Sequence, residues 1–161
     1  MSDPNPAVPL QQGDPAPDFT LPRDGGSEVT LSALRPSKVV LYFYPKDDTP
    51  GCTKEAQGFT EMASDFKAAG AIVLGVSKDT VTKHDKFRNK YDLDVALLSD
   101  ADSDICEQYG TWVEKNMYGK KYMGIERATF LIDELGNLAQ VWRKVKVPGH
   151  VDAVLKAVQD M

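Results

Sequence analysis

A single cysteine stands at the start of a predicted helix, in the stretch YFYPKDDTPGCTKEAQG. Cys52 follows a Thr-Pro-Gly turn, and apolar residues from Phe59 to Phe66 then recur at helical spacing. A thiol reacts as its thiolate, and the unpaired N–H groups in the first turn of a helix stabilise an anion. If the helix begins at Cys52 or Thr53, the sequence therefore favours a reactive thiol.

The neighbours of Cys52 act in opposite directions. Thr49 can direct its hydroxyl towards the thiol, and Pro45 fixes the exit from the preceding strand. Asp47 and Asp48 would favour the neutral thiol, although the simplest interpretation of this pair is a solvated loop. We therefore expect a cation from a distant part of the chain to contact the thiolate.

Other thiol chemistries need residues that this sequence lacks. A dithiol oxidoreductase has Cys-x-x-Cys, but the third residue after Cys52 is Glu55. A tyrosine phosphatase needs an arginine six residues after its cysteine, where this chain has Gly58. His84 and His150 are predicted to lie on the surface, form no readable Cys–His protease pair, and have no recognised metal-site spacing with the two cysteines.

Composition narrows the classes of function further. A net charge of -5 and a pI near 5.0 argue against a general affinity for nucleic acid or anionic membranes. The N-terminal residues MSDPNPAVPL do not resemble a secretory signal, so a cytoplasmic protein with free thiols is expected. We interpret residues 1–9 as a flexible arm and residues 10–161 as one domain.

The elements that must position Cys52 alternate between strands and helices. Strands are predicted at 18–21, 28–31, 38–44, 71–76, 95–98, 127–133 and 138–142. Helices are predicted from the Thr-Pro-Gly turn to Gly70, at 79–91, at 102–109 and at the C-terminus. This order predicts an α/β fold with a central mixed sheet flanked by helices on both faces.

Residues 111–124 are predicted to form a surface loop. Its large side chains either line an entrance for apolar substrates or cover the core: Trp112, Met117, Tyr118, Tyr122 and Met123.

The pattern around the cysteine resembles a known family. Pro45-x-x-x-Thr49-x-x-Cys52 resembles the active-site signature of peroxiredoxins, and YFYPKDDTPGCTKEA is similar to the bacterioferritin comigratory protein/peroxiredoxin Q subfamily. GIERATFLID (124–133) resembles the family strand that carries the catalytic arginine, which corresponds to Arg127. GDPAPDFTLP (13–22) and LLSDADSDICEQYGTW (97–112) are also similar, so the resemblance extends from about residue 10 to the C-terminus.

The resemblance implies a thioredoxin-like fold and a thiol peroxidase that needs no metal, haem or flavin. Cys52 would attack hydrogen peroxide or an alkyl hydroperoxide, which leaves a sulfenic acid and water or an alcohol. Thr49, Arg127 and the backbone N–H groups of Gly51 and Cys52 would hold the peroxide oxygens, and Pro45 would shield the thiolate from solvent. A monomer or weak dimer is implied.

Gln57 stands where many members of this subfamily carry a resolving cysteine, five residues after the reactive one. Cys106, in a predicted helix, either resolves the sulfenic acid or packs as a small buried thiol, and we favour packing. The reducing thiol is then expected from outside, from glutathione, glutaredoxin or thioredoxin. A thiol redox sensor or chaperone that uses Cys52 as a switch stays open, because its first chemical step is the same.

Overall fold

The computed structural model describes residues 9–161, so the predicted arm at 1–9 lies, apart from Pro9, outside the described residues. The strands are β1 (Thr20–Pro22), β2 (Glu28–Thr30), β3 (Lys38–Phe43), β4 (Ala71–Ser77), β5 (Ala96–Ser99), β6 (Trp112–Met117), β7 (Lys120–Ile125), β8 (Ala128–Ile132) and β9 (Leu138–Trp142). The helices are α1 (Pro50–Glu61), α2 (Ala63–Ala68), α3 (Val81–Tyr91), α4 (Ile105–Gln108) and α5 (His150–Gln159), with a 3₁₀ helix at Leu31–Leu34. None of these helices is long and apolar enough to cross a membrane.

Five strands form the central sheet in the order β5-β4-β3-β8-β9. The apolar run of β3 explains its central position, because nearly all of its side chains are buried between two covered faces. β3 pairs in parallel with β4 and antiparallel with β8, β4 pairs in parallel with β5, and β9 continues the antiparallel part. The predicted mixed α/β sheet is therefore confirmed, and β1 and β2 form the expected antiparallel hairpin.

Alternate residues of β3 face two separate hydrophobic cores. Val39, Leu41 and Phe43 belong to the first core, while Val40 and Tyr42 belong to the second. Residues of α1, α2, α3 and α5 pack in the second core, whereas the 3₁₀ helix, α4 and the β1–β2 hairpin contribute to the first. Helices thus cover both faces, with the larger ones on one side.

Two predicted helices differ from those observed. The helix expected to run from the Thr-Pro-Gly turn to Gly70 is interrupted at Met62, which has φ -98° and ψ 11° and separates α1 from α2. The helix expected at 102–109 begins only at Ile105, because the Asp100 carboxylate accepts hydrogen bonds from the backbone N–H groups of Ile105 and Cys106.

The loop predicted at 111–124 is wrong, because these residues form an antiparallel hairpin. β6 and β7 pair in continuous register from Trp112 with Ile125 to Met117 with Lys120. Most of the hairpin is exposed and rich in polar residues, so it lacks the alternation of apolar and polar side chains that indicates a strand.

Candidate active site

The site lies where β3 ends and α1 begins. Pro45 is half-buried after β3, and Thr49, with an extended backbone, is the N-cap of α1. Pro50 occupies the first helical position, where its fixed φ suits a helix start. The helix therefore begins two residues before the earliest predicted start, and Cys52 lies in its first turn, with only 2% of its surface exposed.

Arg127 is the distant cation that the site needs. Its Nη2 donates to the Cys52 Sγ at 3.3 Å, and its Nη1 donates to Glu55 Oε1 at 2.6 Å. The sheet causes this meeting, because Phe43 at the end of β3 pairs with Ala128 at the start of β8. The residues that follow β3 and precede β8 therefore share one edge of the sheet.

Gly51 allows Arg127 to approach the helix closely. A Cβ atom at this position would lie 3.2 Å from Arg127 Nη2, a tight contact that would displace the guanidinium. Any larger residue here would therefore require the Arg127 guanidinium to shift.

Glu55, which from sequence only marks the absence of a second cysteine, is part of the site. Burial raises its pKa to about 7 even though the charge and hydrogen bond of Arg127 lower it. Its Oε2 atom and the Tyr42 hydroxyl are the buried side-chain polar atoms without a hydrogen-bond partner among residues 9–161. The sequence did carry a signal for this role: Glu55 follows Cys52 by three residues, so the two share the buried face of α1 with Ala56.

Thr49 begins the helix through its backbone and not through its side chain. Its carbonyl accepts from the Thr53 N–H at 2.8 Å, while its hydroxyl donates to the Lys46 carbonyl at 2.9 Å and makes no capping hydrogen bond. The hydroxyl oxygen keeps lone pairs with which to accept a further hydrogen bond.

Asp47 and His84 are buried, so the predictions of a solvated Asp47 and a surface His84 are wrong. His84 Nδ1 lies 2.6 Å from Asp47 Oδ2, and Nε2 donates to the Leu98 carbonyl at 2.9 Å. Burial lowers the pKa of His84, but the hydrogen bond and charge of Asp47 outweigh it and raise this pKa above its ordinary value. Asp48 is exposed, as predicted, and pairs with Lys90.

Asp47, Asp79 and His84 form the one cluster of potential metal ligands found among the residues that the structure describes. Their ligand atoms lie within 4.8 Å of one another, but each is already engaged. Asp79 accepts from the Asp47 N–H and the Ser77 hydroxyl, and the Tyr44 hydroxyl donates to Asp47. These contacts fit a hydrogen-bonded anchor for the loop before α1 better than a cation site.

His150 is also buried, against prediction. Its Nε2 lies 2.7 Å from the Thr129 hydroxyl, and its ring packs edge-on against Trp142. Burial and the charge of Arg127 lower the pKa of His150 to about 4, so the ring is neutral near pH 7.

Cys106 is not brought near Cys52. Cys106 lies fully buried in the first core and Cys52 lies in the second, so the central sheet separates the two free thiols. Burial and the charge of Asp100 raise the pKa of Cys106 far above its ordinary value. The favoured prediction, a packed thiol, agrees with this position.

The large side chains of the β6–β7 hairpin divide into two groups. Trp112 packs against the first core, beneath the Lys78 ammonium. Met117, Tyr118, Tyr122 and Met123 are exposed and cover no core.

Comparisons with known proteins agree on one family. The profile of the AhpC/TSA family matches residues 12–141. A peroxiredoxin bcp of Coxiella burnetii is 58% identical over 146 residues, which are 91% of this chain and 97% of the relative. Peroxiredoxin Bcp of Bacillus subtilis is 46% identical over 152 residues, 94% of this chain and 97% of the relative.

Solved structures give the same result. Peroxiredoxin Q of Xanthomonas campestris superposes with a TM-score of 0.84 at 48% identity, over 88% of this chain and 90% of that protein. BcpB of Mycobacterium tuberculosis superposes with a TM-score of 0.83 at 36% identity, over 94% of this chain and 98% of that protein.

Proposed function

We propose that this chain, which belongs to the AhpC/TSA family and within it to the bacterioferritin comigratory protein/peroxiredoxin Q subfamily, reduces peroxides at Cys52 by a one-cysteine mechanism. Membership makes the protein a thiol peroxidase. The observation that carries the assignment to Cys52 is the contact of 3.3 Å between its Sγ and the Arg127 guanidinium. A buried thiolate beside a fixed cation at a helix start is suited to nucleophilic attack.

In the first step the Cys52 thiolate attacks the terminal oxygen of the peroxide. An S–O bond forms, the O–O bond breaks, and a sulfenic acid remains while the leaving oxygen takes a proton and departs as water or an alcohol. Arg127 lies where negative charge passes from sulfur to oxygen, so its guanidinium stabilises the transition state.

Three further groups hold the peroxide in line. The Thr49 hydroxyl donates its hydrogen bond to the Lys46 carbonyl, so its oxygen accepts a hydrogen bond from the peroxide O–H. The N–H groups of Gly51 and Cys52 lie in the first turn of α1 and are free of intrahelical partners, so they donate to peroxide oxygens. Pro45, half-buried before the loop, keeps water from the thiolate.

An external thiol completes the cycle. Gln57 is exposed on α1 in place of a second cysteine, and Cys106 lies across the central sheet from Cys52. A first thiol converts the sulfenic acid to a mixed disulfide and water, and a second releases the Cys52 thiol and a disulfide of the reductant. We propose glutathione, glutaredoxin or thioredoxin as this reductant.

Organic hydroperoxides are proposed as substrates together with hydrogen peroxide. The Xanthomonas campestris bacterioferritin comigratory protein, 47% identical with a TM-score of 0.84, is described for its alkyl peroxide reduction activity.

Multiple-turnover assays test this function. Peroxide consumption is followed with the glutathione–glutaredoxin and thioredoxin systems in parallel, for wild type, Cys52→Ser, Cys106→Ser and Arg127→Met. We expect no turnover by Cys52→Ser, full turnover by Cys106→Ser and a loss on the order of 100-fold by Arg127→Met, as for removal of one transition-state donor. Consumption of a single equivalent of peroxide by wild type with both systems would instead indicate a redox sensor or chaperone.

A further inference from the structure

A basic groove borders the loop that leads from β3 into α1. It has a volume of about 220 Å³, and its lining includes Lys46 of this loop and three lysines of α3, namely Lys83, Lys86 and Lys90. The buried Phe87 forms its apolar base.

The groove carries positive charge on a chain whose net charge is -5. Lys83, Lys86 and Lys90 recur at i, i+3 and i+7, so they share one face of α3. Only Lys90 is paired, with Asp48, because no carboxylate of residues 9–161 lies within salt-bridge distance of Lys46, Lys83 or Lys86. These ammonium groups are available to an anion.

The lining holds four lysines and three aspartates, Asp47, Asp48 and Asp79, so one positive charge remains in excess. Asp47 is held by His84 and the Tyr44 hydroxyl, and Asp79 accepts from the Asp47 N–H and Ser77. Their carboxylates are directed into these hydrogen bonds, so Lys46, Lys83 and Lys86 line the groove without an ion-pair partner among residues 9–161.

The groove is connected rigidly to the reactive cysteine. The Lys46 carbonyl accepts from the Thr49 hydroxyl, and the buried Asp47 side chain fixes the loop between them. Cys52 follows Asp48 by four residues, so their Cα atoms lie at most about 14 Å apart.

We propose that this groove binds the carboxylates of a small anionic thiol of the glutathione class, and thereby presents its sulfur to the oxidised Cys52. This inference rests on the one-cysteine mechanism proposed above. A small thiol fits better than a protein face, because the groove is smaller than the roughly 300–1,000 Å³ of ordinary ligand pockets and Cys52 is only 2% exposed. A positive cleft raises the local concentration of an anion that the net charge of the chain would otherwise repel.

The groove acts on the reductive step. The bound thiolate attacks the sulfur of the Cys52 sulfenic acid, an S–S bond forms, and the S–O bond breaks to release hydroxide, which is protonated to water. A second molecule of the same thiol then attacks the mixed disulfide, which restores Cys52 and releases the oxidised dimer of the thiol.

Stopped-flow reduction of pre-formed Cys52 sulfenic acid tests the proposal, with glutathione (anionic) and 2-mercaptoethanol (neutral) as the two probes. The readout is the ratio of their rate constants, for wild type, Lys83→Gln/Lys86→Gln and the control Lys120→Gln/Lys121→Gln. The control removes the same charge from the exposed β6–β7 hairpin. We expect the ratio to fall on the order of 10-fold in the groove variant and to stay within about 2-fold of wild type in the control. The wild-type ratio should also fall as salt increases.

Equal ratios in all three proteins, or equal losses in the groove and control variants, would overturn the groove assignment. A thioredoxin is added as a third reductant, and a groove variant that loses rate only with this protein would also overturn the assignment, since the groove would then serve a protein partner. A sulfenic acid that neither probe reduces in wild type would instead contradict the one-cysteine mechanism itself, so the two failures are distinguishable.

Discussion

At the scale of single residues, Arg127 is shared between two acids. Its guanidinium donates to the Cys52 sulfur and to the Glu55 carboxylate, which is completely buried. Because the pKa of Glu55 is raised to about 7, this carboxyl exchanges its proton near neutrality. When it is ionised, this carboxylate competes with the Cys52 sulfur for the Arg127 guanidinium.

Replacement of Glu55 by Gln should remove the loss of stability that ionisation of this buried carboxyl causes as pH rises. An ordinary glutamate pKa is 4.5, and the folded value is about 7, so the folded chain binds the proton more tightly. The free energy of unfolding of wild type therefore falls, relative to Glu55→Gln, as pH rises between these values, by an amount on the order of 3 kcal/mol. Urea unfolding of both proteins at pH 5 and pH 8 measures this difference.

The comparison between proteins cancels the titration of His84 and His150, which both retain. Glu61→Gln, on the exposed side of the same helix, is the control and should follow wild type. Parallel pH profiles for wild type and Glu55→Gln would show that Glu55 is not perturbed.

Gly51→Ala should slow the peroxide step without loss of stability. The new Cβ would lie 3.2 Å from Arg127 Nη2 and shift the guanidinium relative to the sulfur, while alanine favours the helix. We expect the rate of Cys52 oxidation, measured by stopped flow, to fall at least about 10-fold. Gln57→Ala, exposed on the same helix, should keep the wild-type rate, and a wild-type rate for Gly51→Ala would contradict the close approach.

The sequence indicated candidate reactive residues, but it did not indicate which polar side chains are buried by hydrogen-bond partners that are distant in sequence. Thr49 and Cys52 stand in one short motif, and the family resemblance added Arg127. The burial of His84 depends on Asp47 and on the Leu98 carbonyl, which are 37 and 14 residues away, so no local pattern indicated it.

At the scale of elements, the loop before α1 is fixed by the helix that lies beside it. His84 of α3 holds the Asp47 side chain, and the Asp47 N–H donates to Asp79 before the same helix. Lys90 and Tyr91, at the end of α3, bond the exposed Asp48. α3 therefore sets the position of the residues that begin the reactive helix.

Asp47→Asn should destabilise the protein far more than Asp48→Asn. The first change removes the charge that a buried histidine pairs with, at a cost of about 2 kcal/mol, whereas the Asp48 pair is exposed to solvent. Since the pKa of His84 is raised, this stabilisation is complete below pH 6.5 and is lost as pH rises through the folded value. Urea unfolding should therefore show a larger Asp47→Asn effect at pH 6 than at pH 9, and equal effects of the two substitutions would exclude the anchor.

Elements were predictable where burial shapes the sequence. β3 is a continuous apolar run because both of its faces are covered, and the stripe on α5 matches its buried side. The β6–β7 hairpin is stabilised mainly by pairing between its own strands, so its exposed side chains are free to be polar and gave no strand pattern.

At the scale of the whole molecule, the central sheet separates the two thiols. Cys52 lies in the core beneath the larger helices, and Cys106, a residue of α4, lies in the opposite core. A disulfide between them would require their Cα atoms to come within about 7 Å, whereas the two residues lie in cores on opposite faces of the central sheet. The mixed sheet was predictable from the order of elements, but the side on which each cysteine lies depends on how the helices pack.

A cytoplasmic location and a monomer or weak dimer stay predictions.

Peptide mass mapping after one equivalent of peroxide, with dimedone present to trap a sulfenic acid, distinguishes the one-cysteine mechanism from a two-cysteine one. The one-cysteine mechanism predicts a dimedone adduct on Cys52 and an unmodified Cys106 thiol in wild type. Cys106→Ser should carry the same adduct on Cys52. A Cys52–Cys106 disulfide as the main product in wild type would contradict this mechanism.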